Sequence, residues 1–262
     1  MLPPSDLKLN SKVYTEQQAR EMLENEAKLL PSFQVERDRQ RFLIKVFSLL
    51  AIIMVITTGW VIHVHNREKV ERWYQRGQWI VFASGICMLV MSVTLTTCFQ
   101  LARKIPINAI FFTFFTFLHA VFCGSFVDTL RREEIMVSIT VCAMAMFIRL
   151  ALYSCFARTD LTMIGALFTT AFMMVICFII LNYALRISKT VLFVVTIIMP
   201  LLSTWVVHNT YLLISGKYIR FPFEVEDFII AAIVVYVDLL TLPVYLLLLC
   251  SGPDEQPKET AK

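Results

Sequence analysis

Seven apolar runs follow one another down the chain. Each is about 20 residues long, the length an α-helix needs to cross the roughly 30 Å hydrocarbon layer of a bilayer. They cover 42–64, 79–101, 107–127, 135–156, 161–183, 190–207 and 228–249, with short polar joints between them. No soluble architecture tolerates that spacing, because in lipid every backbone N–H and C=O must be satisfied within its own segment, and helices do this. Composition agrees: 58% of residues are hydrophobic and 17% charged, where a soluble domain is nearer half apolar and a quarter charged. The expected class is all-α, a polytopic membrane protein with one seven-helix transmembrane bundle over 41–250. A polar N-terminal tail over 1–40, with a short helix over 15–30, and a polar C-terminal tail over 251–262 flank it.

The basic residues border the apolar runs and do not gather on one polar surface. They read as membrane-boundary residues, not as a nucleic-acid footprint, so the expected partner is the lipid bilayer. Arg41 and Lys45 form a collar before the first run, and Arg103-Lys104 a tight basic turn after the second. By the positive-inside rule this collar puts the N-terminus in the cytosol. Lys45, one turn inside, is expected to snorkel its amine outward. Elsewhere Lys and Arg fall on both sides of the alternating joints, and the seventh run reads either as a span or as a re-entrant segment. Pro200 is expected to kink or break the sixth helix, and Asp160 to cap the fifth.

The seven cysteines include no C-x-x-C pair, so neither a disulfide framework nor a zinc site is expected. No H-E-x-x-H, G-x-S-x-G, P-loop or G-x-G-x-x-G occurs, which removes the familiar hydrolase and nucleotide readings. The chain is read as a non-enzyme with no catalytic residue, bound metal or cofactor. His63, His65, His119 and His208 read as packing or interfacial residues, and the hydroxyls of Thr94, Thr96, Thr97, Thr113, Thr116, Thr169, Thr170 and Ser203 as hydrogen-bonding glue between helices.

Two charges lie deep in apolar runs: Asp238, near the centre of the seventh, and Arg149, in the fourth. A charge at a helix centre costs roughly 2.5 kcal/mol or more in hydrocarbon, so it must meet a counter-charge, water or an ion. Asp238 therefore reads as an ion or proton site. Arg149 reads either as its counter-charge, in a bidentate pair, or as a guanidinium snorkelling towards Arg158.

Five stretches in order resemble the Bax-inhibitor-type, or lifeguard, membrane proteins. They are Arg41-Phe42-Leu43-Ile44-Lys45, Arg103-Lys104-Ile105-Pro106, Arg158-Thr159-Asp160, Asn209-Thr210-Tyr211 through Gly216-Lys217, and Glu226-Asp227-Phe228 through Tyr236-Val237-Asp238. The resemblance implies a seven-helix bundle of the endoplasmic reticulum or Golgi membrane. It would leak calcium, the transported ion, and restrain apoptosis, with apoptosis-regulating membrane proteins as partners. In that family two facing aspartates gate the path by sharing a proton. The second maps to Asp238, but the first maps to position 209, which is Asn here. Asn209 cannot titrate, so the two-carboxylate switch cannot operate in that form. One negative charge lost at 209 and one positive gained at Arg149 make the path less attractive to a divalent cation. The alternative is a weakly conducting or silent relative acting as a regulatory membrane partner.

Overall fold

The computed structural model describes residues 31–67, 70, 77–97, 103–104, 106–129, 133–156, 162–184, 189–217 and 223–250. The helix expected over 15–30, Asp160, Arg158 and the C-terminal tail lie outside them. Among the described residues a short 3-10 turn, Pro31–Phe33, precedes seven α-helices and no strand. These are α1 Glu36–His65, α2 Gln78–Thr97, α3 Ile107–Thr129, α4 Glu133–Phe156, α5 Met163–Ala184, α6 Lys189–Ile214 and α7 Phe228–Cys250. Among the described residues α1, α3, α4, α5 and α6 are long and apolar enough to cross a membrane; α2 and α7 add the shorter apolar stretches Phe82–Met91 and Phe228–Leu240.

Contacts across the bundle fix the topology. Ser32 Oγ donates to the Phe223 carbonyl at 3.1 Å, joining the chain before α1 to the chain before α7. Gln40 Nε2 donates to the Ser154 carbonyl at 3.2 Å, joining the start of α1 to the end of α4. Arg103, between α2 and α3, donates from Nε to Asp227 Oδ2 at 2.9 Å, one residue before α7. Lys45 Nζ, expected to snorkel outward, lies 4.5 Å from the centre of the Phe228 ring. One face of the bundle thus gathers the start of α1, the α2–α3 turn, the end of α4 and the α6–α7 joint. It carries Arg41, Lys45, Arg103 and Lys104 together, and is here called the collar face. The opposite end is marked by a separate apolar cluster of Val61, Val64, Ile80, Cys123 and Val137, from the end of α1, the start of α2, the end of α3 and the start of α4.

Helix α7 is the centre of the bundle. It packs on α1, α6, α3 and α2, and Ile230, Ala231, Ala232, Ile233, Val234, Val235 and Tyr236 are all buried in succession. A helix apolar all round is buried all round, and the paired alanines let neighbours approach closely. Its 23 residues extend about 34 Å at 1.5 Å each.

Three local expectations change. The sixth apolar run was expected to stop at 207, with a polar break following, yet α6 continues to Ile214 and buries Asn209 and Thr210 inside it. Thr210 is accommodated because its hydroxyl donates to the Val206 carbonyl at 2.7 Å. The helix ends one turn later at Gly216, whose φ of 69° is the left-handed C-terminal stop that glycine adopts at no steric cost. Pro200 lies within α6 without ending it; Ser203 and Thr204 both donate to its carbonyl. Finally, α5 is capped by Thr162, whose Oγ1 accepts from the Gly165 N–H at 3.1 Å.

The hydroxyls read as interhelical glue mostly serve their own helices. Thr113, Thr116 and Thr169 each donate to the carbonyl four residues back, and Ser203 to the one three back. Two helix-to-helix hydroxyl contacts involve α1 residues not singled out from sequence. Thr58 donates to the Thr140 carbonyl at 3.1 Å, and Thr57 meets His119.

The collar face yields one expectation. Asp227 is buried and accepts from both Arg103 and the Glu224 N–H at 2.9 Å. Arg103→Ala removes its cation and should cost about 2 kcal/mol, reduced from the full buried-pair value because the guanidinium is partly exposed. Arg103→Lys should cost less. Denaturant titration of the detergent-solubilised chain checks this, and an unchanged midpoint for Arg103→Ala would show that the pair fixes nothing.

Candidate functional site

The middle of α7 meets a buried polar cluster supplied by α1 and α3. His119 Nδ1 lies 2.8 Å from Thr57 Oγ1, and His119 Nε2 lies 2.6 Å from the Tyr236 hydroxyl. The same hydroxyl donates to Met54 Sδ at 3.5 Å. Cys123, one turn along α3, places Sγ 3.3 Å from Nε2. Aromatic rings enclose the group: Phe115 stands edge-on to Tyr236 with centroids 5.9 Å apart, and Phe147 approaches it at 6.3 Å.

One ring nitrogen of a neutral histidine donates and the other accepts, so the tautomer sets the direction of the bonds to Thr57 and Tyr236. A neutral imidazole meets both demands, which is what a site enclosed in an apolar bundle requires. Chemically the cluster ties three helices at one level and sets the rotation of α7.

That rotation aims Asp238. Two residues beyond Tyr236 is about 200° around the helix, so the carboxylate points away from the His119 cluster. It lies where α7 passes from fully buried to half-buried, since Val237, Asp238 and Leu239 are intermediate and Leu240 is exposed. Asn209 is buried on α6, which packs against α7. The structure therefore brings the helices of the two sequence-chosen positions together, although no described hydrogen bond joins the two side chains. Arg149 is placed elsewhere. Its guanidinium carbon lies 5.6 Å from the centre of the Tyr153 ring, one turn further along α4, and among the described residues no ion pair links it to Asp238. Cation–π contact accounts for a guanidinium at this depth without a carboxylate. Tyr153 in turn lies over Gly165 of α5, where an added Cβ would collide with its ring and hydroxyl.

Sequence reasoning treated His119 as a packing residue and did not connect it to Tyr236, Thr57 or Cys123. A signal was present: a histidine mid-way along one apolar run and a tyrosine beside the aspartate of another, both needing partners in hydrocarbon. It also took Arg103 as a collar charge and missed its partner Asp227.

The cluster makes a measurable claim about coupling. Tyr236→Phe leaves His119 Nε2 without its hydroxyl partner and should cost about 1–3 kcal/mol. His119→Leu should cost a similar amount. The double variant should be less destabilised than the sum by about 1 kcal/mol or more, since neither stranded group remains. Additive losses in a double-mutant cycle on detergent-solubilised protein would mean the two residues act separately.

The family model described as "Inhibitor of apoptosis-promoting Bax1" matches residues 39–254. No solved structure matches the chain. The matched span runs from the buried Arg39 of α1, whose Nη1 donates to the Phe33 carbonyl, through all of α7. The described bundle, the collar face and the central helix all fall within it, and the chain belongs to the Bax inhibitor family of multi-pass membrane proteins that act in apoptosis regulation.

Proposed function

We propose that the protein is a calcium-permeable leak channel of an intracellular membrane, the endoplasmic reticulum or Golgi, and that Asp238 is its ion or proton site. One observation carries the reading: α7 is buried on every face up to Tyr236 and then presents a carboxylate at the point where burial relaxes. A carboxylate at that place in an apolar bundle must be answered by a protein partner, water or an ion, and such groups mark ion and proton paths. Asn209 on the adjacent helix supplies an amide oxygen of the kind that calcium accepts. Calcium takes six to eight oxygens in a tight site; one carboxylate and one amide make a weak site, which suits slow leak and not storage. Slow release lowers the calcium held in the store, and with it the signal available to drive cell death.

A second reading has its own observation. Asn209 replaces the titratable partner, and the Tyr236–His119 bond closes the centre of the bundle. Both favour a weakly conducting relative that regulates other membrane proteins by contact.

Purified protein in calcium-loaded liposomes separates the two. The leak reading expects flux from the native chain that Asp238→Ala reduces by about tenfold or more, roughly the 1.4 kcal/mol step per decade. It expects the native flux to vary with pH through the Asp238 carboxylate, and Asn209→Asp to alter that dependence, because two carboxylates then share one proton. Native protein without flux, with conduction appearing only in Asn209→Asp, would favour the silent relative.

A further inference from the structure

A half-open recess lies away from the central cluster. It is a cavity of about 380 Å³ between α1 and α3. Ile56 and Phe117 stand at its edge and are exposed on the outside of the bundle, so the cavity opens towards the hydrocarbon that surrounds a membrane-spanning chain. Its occupant comes from the bilayer, since water does not fill an apolar space in hydrocarbon.

Three features specify that occupant. First, Gly59 leaves its side of the slot bare. A Cβ built there meets nothing within 4 Å, so any side chain at 59 would project into free space. Second, the walls offer flat apolar surface and no spare hydrogen bond. Trp60, Phe112 and Phe117 line it, and the hydroxyls of Thr113 and Thr116 are spent on the carbonyls of Ala109 and Phe112. Third, there is a polar group at one end: His63, two residues from the end of α1, with its ring 5.8 Å from that of Trp60. From Ile56 to His63 the slot follows α1 for about 10 Å. One leaflet of a ~30 Å hydrocarbon layer is about 15 Å deep. A phospholipid chain anchored at the interface would overrun the slot and lose rotamer freedom wherever it was held. The fused rings of a rigid amphiphile with a single hydroxyl have no rotamers to lose there.

We propose that this cavity is a binding site for a membrane sterol. The fused rings lie against Trp60, Phe112 and Phe117 over Gly59, and the sterol hydroxyl meets the His63 imidazole near the membrane surface. The site shares α3 with His119 but stands independently of any ion path.

The test uses the full chain in phosphatidylcholine vesicles. One set contains a photoreactive sterol and a parallel set a photoreactive phosphatidylcholine carrying its reactive group on the acyl chain. The expected result is sterol labelling of peptides from α1 and α3, competed away by unlabelled sterol. Gly59→Leu, which fills the slot, should lower that labelling by about fivefold or more, with its melting midpoint in sterol-free detergent unchanged. Phe117→Ala removes an exposed wall and should also weaken labelling; it serves if Gly59→Leu fails to fold. Equal labelling by the acyl probe, no competition by sterol, or native-level sterol labelling in both variants would each overturn the assignment.

Discussion

Hydrocarbon gives a buried polar atom no solvent to fall back on, so each must be answered by another atom of the protein. The bond between Tyr236 and His119 is where that requirement shapes this molecule most. Helix α7 is apolar around its whole circumference over its first turns, and an apolar surface has no preferred rotation among apolar neighbours. Dispersion and packing hold such a helix in place but specify its angle weakly. A single short hydrogen bond at 2.6 Å to a histidine that is itself held by Thr57 at 2.8 Å supplies the missing direction. Once Tyr236 faces α3, Asp238 cannot, and the carboxylate turns to where the packing is less complete.

The collar face fixes the same helix along its axis. Asp227, one residue before α7, receives Arg103 from the α2–α3 turn, while Lys45 lies over Phe228 and Ser32 reaches Phe223. Four chain segments far apart in sequence therefore meet at one end of α7. The residues read from sequence as a simple charge collar are load points on the central helix as well as boundary charges. The N-terminal boundary changes for the same reason. Phe33 is buried and meets Phe42 at 4.8 Å between ring centroids, so the bundle begins ahead of residue 41 and draws in part of the tail that looked merely polar.

The class of fold was legible because the apolar runs have the length and count of spanning helices, and length is set by the bilayer itself. Where the runs were misjudged, a polar side chain had found a partner in its own backbone. Thr210 and the Asn209 beside it look like the start of a loop, yet the threonine hydroxyl folds back on Val206 and the helix runs on. Asp238 was visible from sequence because a charge in an apolar run is rare. His119 and Tyr236 were not, because each alone is an ordinary amphipathic residue, and only the packing of α3 against α7 puts their polar atoms together. Arg149 was visible for the same reason as Asp238. Its surroundings could not be read, since a ring one turn away answers a guanidinium as well as a distant carboxylate does.

The central claim is that the rotation set at Tyr236 delivers position 238 to a place that water or ions reach. Reaction of Asp238→Cys and Val234→Cys, in a background with the native cysteines replaced, with a membrane-impermeant thiol reagent in sealed vesicles tests it directly. The account predicts modification of Asp238→Cys well above that of Val234→Cys, which lies in the fully buried stretch. Equal protection of the two positions would place the carboxylate out of reach of any aqueous path and contradict it.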